Sequence, residues 1–262
     1  MIARSLRTLL TSLIDYAGLF PPASLPLDRA IANYDAYRRG EYAWALGRFV
    51  VPFARVSEIP REFPLSVVVA RDELQQLDSS IDTIETKAAN QADLAAIAGV
   101  AGGRTVYVET ADPDLVEGLA SYGFRAKIRT GGLTKDAFPA VERIARFMRE
   151  CAGEAVPFKA TAGLHHPIRC AKPLTYEANA PIGTMNGFVN LFMAAALIGA
   201  ADEEILLEEN PRAFSFDDEH ASWHRHAATT ELLERVRREF AISFGSCSFE
   251  EPIADLKQLG WL

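Results

Sequence analysis

Eight short runs rich in β-branched and aromatic residues, most of them separated by segments of helical periodicity, constrain this fold more than any other feature. The runs lie near 46–51 (LGRFVV), 65–70 (LSVVVA), 81–86 (IDTIET), 105–109 (TVYVE), 124–129 (FRAKIR), 157–161 (PFKAT), 213–217 (AFSFD) and 241–245 (AISFG). Between them, Phe138, Val141, Ala145 and Met148 recur at helical spacing, as do Leu232, Val236 and Phe240. Asp112-Pro113 supplies an N-cap acid and a first-turn proline. Strands that alternate with helices form parallel sheets. Eight such units in 262 residues match one closed (β/α)8 TIM barrel, which usually takes about 250 residues. No Gly-x-Gly-x-x-Gly follows the first run, which counts against an open dinucleotide-binding sheet. The expectation is an α/β chain with a single domain over 1–262, residues 1–45 forming an N-terminal helical extension and 46–262 the barrel.

Charge and composition narrow the partners. The net charge of −8 disfavours binding along a phosphate backbone, so no nucleic acid is expected. The apolar stretch 188–201 is interrupted by Asn190 and Gly199 and is too short for a membrane span. Residues 1–18 read as an amphipathic helix rather than a signal peptide, so no membrane partner is expected. Cys151, Cys170 and Cys247 are few, odd in number and far apart, which suits a reducing, cytoplasmic compartment. Homo-oligomerisation is left open.

Strand phase says which side chains face inward. The outer side of a barrel strand is covered by helices and must be apolar. With Val106 and Val108 outward, Tyr107 and Glu109 point in. Ala126 and Ile128 outward turn Lys127 and Arg129 inward; Phe158 and Ala160 do the same for Lys159 and Thr161. Ile84 outward gives Glu85 and Lys87, Arg48 shares the inner side with Val50, and Phe214 and Phe216 outward give Ser215 and Asp217. Barrel interiors are normally filled by branched apolar residues, and charges there are costly unless paired or used. Charges at the last positions of successive strands therefore mark a candidate active site.

Lys159 is the first candidate nucleophile. A lysine pKa is ordinarily about 10.4; burial and the neighbouring cations Lys127 and Arg129 are expected to lower it and free the amine for attack on a carbonyl. The segment Phe158-Lys159-Ala160-Thr161-Ala162-Gly163 resembles the sixth-strand motif of deoxyribose-phosphate aldolases and related class I aldolases. That resemblance implies Lys159 as the Schiff-base lysine, on the sixth strand. It spans about six residues, and the family's helper lysine, on the seventh strand, has no counterpart in 213–217. The run Ala126 to Gly132 also looks like an aldolase strand and glycine loop, which keeps Lys127 open as the nucleophile.

Glu109, Asp217 and His165 are expected to transfer protons. Arg129, Arg48, Lys87 and His166 are expected to bind carboxylate or phosphate, and Thr161 an intermediate. Glu85 and Tyr107 line the same interior, and the turn containing Ser246 is a candidate anion cradle, as is Gly131-Gly132. Cys247 reads as an inert thiol. The loop Ile14 to Ala23 is placed to reach the barrel mouth, either packing across the rim or offering Asp15 or Tyr16 as a substrate contact, and the loop 162–183 reads as a lid or a substrate-binding element. His220 and His224 read as an ordinary helix surface. The preferred reading is a lyase using a lysine Schiff base on a small anionic carbonyl compound, with no cofactor. Two others stay open: divalent-metal-assisted enolate or C–C chemistry, with the carboxylates and His165 as ligands, and a barrel that binds an acidic metabolite without catalysis.

Overall fold

The computed structural model describes residues 2–110 and 112–262; Met1, at the head of the expected N-terminal helix, lies outside them. Eight parallel strands close into a barrel: β1 Ile14–Tyr16, β2 Leu46–Pro52, β3 Leu65–Val68, β4 Thr83–Lys87, β5 Thr105–Glu109, β6 Arg125–Arg129, β7 Phe158–Thr161 and β8 Ala241–Ser246. They pair in chain order, and β8 closes on β1. Helices between the strands cover the outside, as a (β/α)8 TIM barrel requires.

The expected strand list needs two corrections. The first strand of the barrel is β1, inside the segment read as an extension. Three residues long and buried on both faces, it carries no alternation to betray it. What precedes the barrel is helix α1, Arg4–Leu10. The run 213–217 is not a barrel strand. Phe214–Phe216 pairs antiparallel with His220–Trp223, which pairs with His226–Thr229, in a separate three-stranded sheet. There Phe214 is buried and the Phe216 ring meets Trp261 at 5.1 Å, so apolar alternation is present but serves another surface. His220 and His224 lie in this sheet and its turn, not on a helix.

The small sheet also supports the chain start. Helix α1 has no capping side chain of its own. The Asp217 carbonyl accepts from Ser5 N at 3.1 Å and the Asp218 carboxylate from Arg4 N at 2.9 Å, satisfying two of its free N–H groups. Asp112 caps as expected, accepting from Asp114 N at 3.0 Å. The apolar stretch after residue 188 is helix Phe188–Ala196, buried along its whole length. Among the described residues no helix is long and apolar enough to cross a membrane.

Outward residues of β1 and β2 bind helix α2, Leu27–Tyr37, through stacked rings. Phe49 lies 5.5 Å from Tyr16 and 5.0 Å from Tyr34 between ring centroids, and Tyr34 lies 5.0 Å from Phe63. Tyr16 thus faces the shell rather than the mouth, which leaves Asp15 pointing in. Phe49 is fully buried. Phe49→Ala should lower the unfolding free energy by about 3–5 kcal/mol, read from urea denaturation; a loss under about 1 kcal/mol would show that the cluster does not hold this side of the barrel.

Candidate active site

Inside the barrel, side chains from five strands form one ionic chain. Lys159 Nζ donates to Asp15 Oδ2 at 2.7 Å and to Glu85 Oε1 at 2.6 Å. Lys127 Nζ lies 2.8 Å from Glu85 Oε2 and 2.9 Å from Glu109 Oε2. Glu109 continues outward through its other oxygen, with Arg129 Nε at 3.3 Å and Lys87 Nζ at 3.7 Å. Ser66 donates to Glu85 and Ser243 to Asp15, both at 2.7 Å. The Asp15 carboxylate also accepts from Arg48 N at 2.8 Å. That approach needs glycine next door, since a Cβ on Gly47 would sit 2.2 Å from Asp15 Oδ1.

Strand register explains the assembly. Lys127 is the direct partner of both Glu109 on β5 and Lys159 on β7, and Gly245 on β8 is the partner of Asp15. Neighbouring strands lie about 4.8 Å apart, so inward side chains at these positions touch. Two residues further along their strands, Lys87, Arg129 and Thr161 form a higher tier at the mouth. Arg48 and Tyr107 lie a tier below, and each departs from its expected role. The Arg48 guanidinium binds Leu65 O and Asp82 near the strand starts. Tyr107 donates no contact to the cavity; its hydroxyl accepts from Arg125 and its ring lies 5.4 Å beneath Lys159 Nζ.

The charges reverse one expectation. Burial alone would lower the Lys159 pKa, but the carboxylates of Asp15 and Glu85 outweigh it and hold the ammonium above its ordinary range. Glu85 stands between the two lysines, with one oxygen on each. Burial alone would raise the Glu85 carboxyl, yet Lys127 and Lys159 drive it well below 4.5. Glu109 is lowered by the same balance, with Lys127 first and Arg129 and Lys87 behind it.

Above this chain opens a cavity of about 820 Å³. Its lining includes Glu85, Lys87, Glu109, Lys127, Arg129, Lys159, Thr161 and His165 among the expected residues. Three others are elsewhere. Asp217 is exposed in the small sheet, its carboxylate capping Glu219 N and His220 N. His166 is not part of the cavity lining and is held by Asp255, with Nδ1 at 2.6 Å from the carboxylate. Ser246 is buried but follows inward Gly245 and so faces away from the interior. Gly131 is a packing glycine: a Cβ there would lie 2.8 Å from the Gly163 Cα and 2.5 Å from Phe138.

The loop after β1 does reach the mouth, where Ala17, Phe20, Pro21 and Pro22 line one wall. The loop 162–183 follows the seventh strand and folds largely into a hairpin, Cys170–Pro173 with Ile182–Met185, which contributes Leu174 and Met185. His165 Nδ1 lies 3.0 Å from Glu251 Oε2, and Tyr176 donates to the same oxygen at 3.1 Å. Glu251 and Ser243 were not legible as site residues, since nothing local marks them. Burial raises the Cys247 thiol, which keeps it protonated. Among the described residues no group of three or more His, Cys, Asp or Glu is arranged to hold a metal ion.

No family model matches the chain, and no curated protein matches it. Solved structures with a similar fold include the arginine decarboxylase of Paramecium bursaria Chlorella virus bound to agmatine, at 10% identity and a TM-score of 0.40. That alignment covers 74% of this chain and 56% of the decarboxylase. A Coccidioides immitis protein solved as a fructose-1,6-biphosphate aldolase aligns at 12% identity and a TM-score of 0.26, over 75% of this chain and 58% of its own. The chain spans less than two thirds of the length of either. At these identities and scores the likeness carries nothing about activity.

The ionic chain makes stability depend on pH from both sides. Glu85 and Glu109 are depressed, so their contribution is present above the ordinary 4.5 and is lost as pH falls below it. Lys159 is raised, so its contribution is present below the ordinary 10.5 and is lost as pH climbs past it. Lys159→Met should cost about 3–5 kcal/mol at pH 7, by stranding buried carboxylate. Its deficit against wild type should shrink as pH drops toward 4 and those carboxyls take up protons. A deficit that stays constant in denaturation between pH 7 and 4 would assign the loss to packing instead.

Proposed function

We propose that the protein is a Schiff-base carbon–carbon lyase acting on a small anionic carbonyl compound, with Lys127 as nucleophile. The observation that carries this reading is a pair of buried lysines, Lys127 and Lys159, side by side on the sixth and seventh strands and bridged by one carboxylate. Counting from the true first strand moves the motif at 158–163 to the seventh strand and puts a different lysine on the sixth. The sixth-strand lysine is Lys127, in the strand-and-glycine run 126–132, and Lys159 takes the seventh-strand position of the helper.

The two environments suit a division of labour. Lys159 is fixed as an ammonium between Asp15 and Glu85 and acts as a standing positive charge. Lys127 shares Glu85 with it and has Glu109 on the mouth side. Glu109 takes a proton from the Lys127 ammonium, and the freed amine attacks the carbonyl carbon. The new N–C bond forms as the C=O π pair moves to oxygen. Glu109 then relays protons from nitrogen to that oxygen, which leaves as water. The lysine's positive charge ends on the iminium, and Glu109 is a carboxylate again.

Cleavage follows when the bond between the α and β carbons breaks: its pair forms the C=C of an enamine and the iminium π pair moves to nitrogen. The hydroxyl proton of the departing aldehyde passes to a base facing the cavity. His165 fits that role, because Glu251 holds Nδ1 and leaves Nε2 for the cavity. Returning the proton to the enamine carbon and adding water to the imine releases the second product and restores the lysine. A divalent ion at these carboxylates would have to displace two ammonium groups, so the reading without metal is preferred.

Incubation with pooled small aldehydes, ketones and keto acids, then borohydride, tests this on the wild-type protein. The expected result is a reduced adduct on the tryptic peptide containing Lys127, lost in Lys127→Arg, since guanidinium forms no imine. An adduct on Lys159 would move the nucleophile to the seventh strand. Full turnover by Lys127→Arg would end the Schiff-base reading.

A further inference from the structure

Resting on that reading, we infer that the substrate is a 4-hydroxy-2-oxo carboxylic acid with an otherwise apolar chain, its carboxylate held by Arg129 and Lys87. The inference comes from how the charges and apolar surfaces are distributed around the cavity, not from the nucleophile alone.

Cations stand on one side of the mouth. Arg129 lines the cavity and is half exposed, with Glu109 engaging only Nε; among the described residues its outer nitrogens have no partner. Lys87 is 77% exposed, and its contact with Glu109 at 3.7 Å is too long for a hydrogen bond. Both groups keep donors free, and a guanidinium edge matches a carboxylate with two parallel hydrogen bonds.

Spacing sets the anion. Glu109 touches Lys127 Nζ with one oxygen and Arg129 Nε with the other. The nucleophile and the anion clamp therefore flank a single carboxylate. An anion bonded directly to the carbonyl carbon suits cations that share one carboxylate. A sugar phosphate carries its anion at least one carbon and one ester oxygen further from the carbonyl.

The opposite side excludes phosphate in another way. Barrels commonly bind phosphate in the loops after the seventh and eighth strands. Here the helix that follows β8, Glu250–Gln258, opens with Glu250 and Glu251, and no lysine or arginine from that side lines the cavity. Instead Phe20, Pro21, Leu174 and Met185 offer apolar surface. A ligand anchored at Arg129 and bonded at Lys127 extends its remaining carbons over that wall.

Borohydride trapping titrated with three probes tests the inference: 4-methyl-2-oxopentanoate, 4-methyl-2-pentanone, which keeps the skeleton without the carboxylate, and glyceraldehyde 3-phosphate. Binding of 4-methyl-2-oxopentanoate is measured in parallel by calorimetry without borohydride. The oxo acid should label wild type at a half-saturating concentration about tenfold or more below the ketone. Arg129→Gln should raise that concentration about tenfold more for the oxo acid than for the ketone. Preferential labelling by the phosphorylated aldehyde, or an equal effect of Arg129→Gln on acid and ketone, overturns the substrate class while the Schiff base stands. Arg129-dependent binding with no adduct from any probe supports the carboxylate site and sinks the Schiff base. Absence of both adduct and binding overturns both.

Discussion

One carboxylate, Glu85, holds the interior together by bridging two lysines that would otherwise repel across adjacent strands. Its two oxygens meet Lys159 at 2.6 Å and Lys127 at 2.8 Å, and all three side chains are almost wholly buried. Unpaired, each buried ion costs several kcal/mol. The bridge makes the arrangement tolerable, and Asp15 and Glu109 complete it at the two ends. The barrel must close for this to happen, since Asp15 reaches Lys159 only across the β1–β8 seam.

Such a chain is a poor device for stability. Well-packed apolar residues of similar volume are as good or better in a buried layer, and barrel interiors ordinarily contain them. Keeping three acids and two lysines there is explained by what the charges do at the cavity they border. The tiers separate the duties. Residues two apart along a strand differ in height by about 6.7 Å, so Tyr107 and Arg48 brace the floor, the lysines and their carboxylates occupy the middle, and Lys87, Arg129 and Thr161 meet whatever enters.

Much of this was legible because strand alternation is rigid. Once Val106, Ala126 and Phe158 were assigned to the helical shell, the inward set on those strands followed, and the structure brings Glu85, Glu109, Lys127, Lys159 and Arg129 together as that phase requires. The errors came where periodicity is silent. Ile14–Tyr16 is too short to alternate, so the barrel was counted from its second strand. The gap was filled by 213–217, whose two phenylalanines alternate equally well in an antiparallel ribbon. That single miscount put Lys159 on the wrong strand, hid the carboxylate that raises its pKa, and made Asp217 a catalytic residue when it caps a turn and a helix. Period-two patterning identifies a covered face but not what covers it.

The two adjacent histidines show what local sequence leaves undetermined. His165 and His166 each meet an acid on the helix after β8, Glu251 and Asp255, four residues apart on one helical face. The helix therefore grips the loop after β7 at two points. This double clamp fixes the backbone between them, so His165 lines the cavity from a set position. Burial would raise Glu251, but the hydrogen bond and charge of His165 outweigh that and keep it an anion. Without the His166 clamp the loop would pivot about one contact, and a side chain held by one contact is not held in orientation.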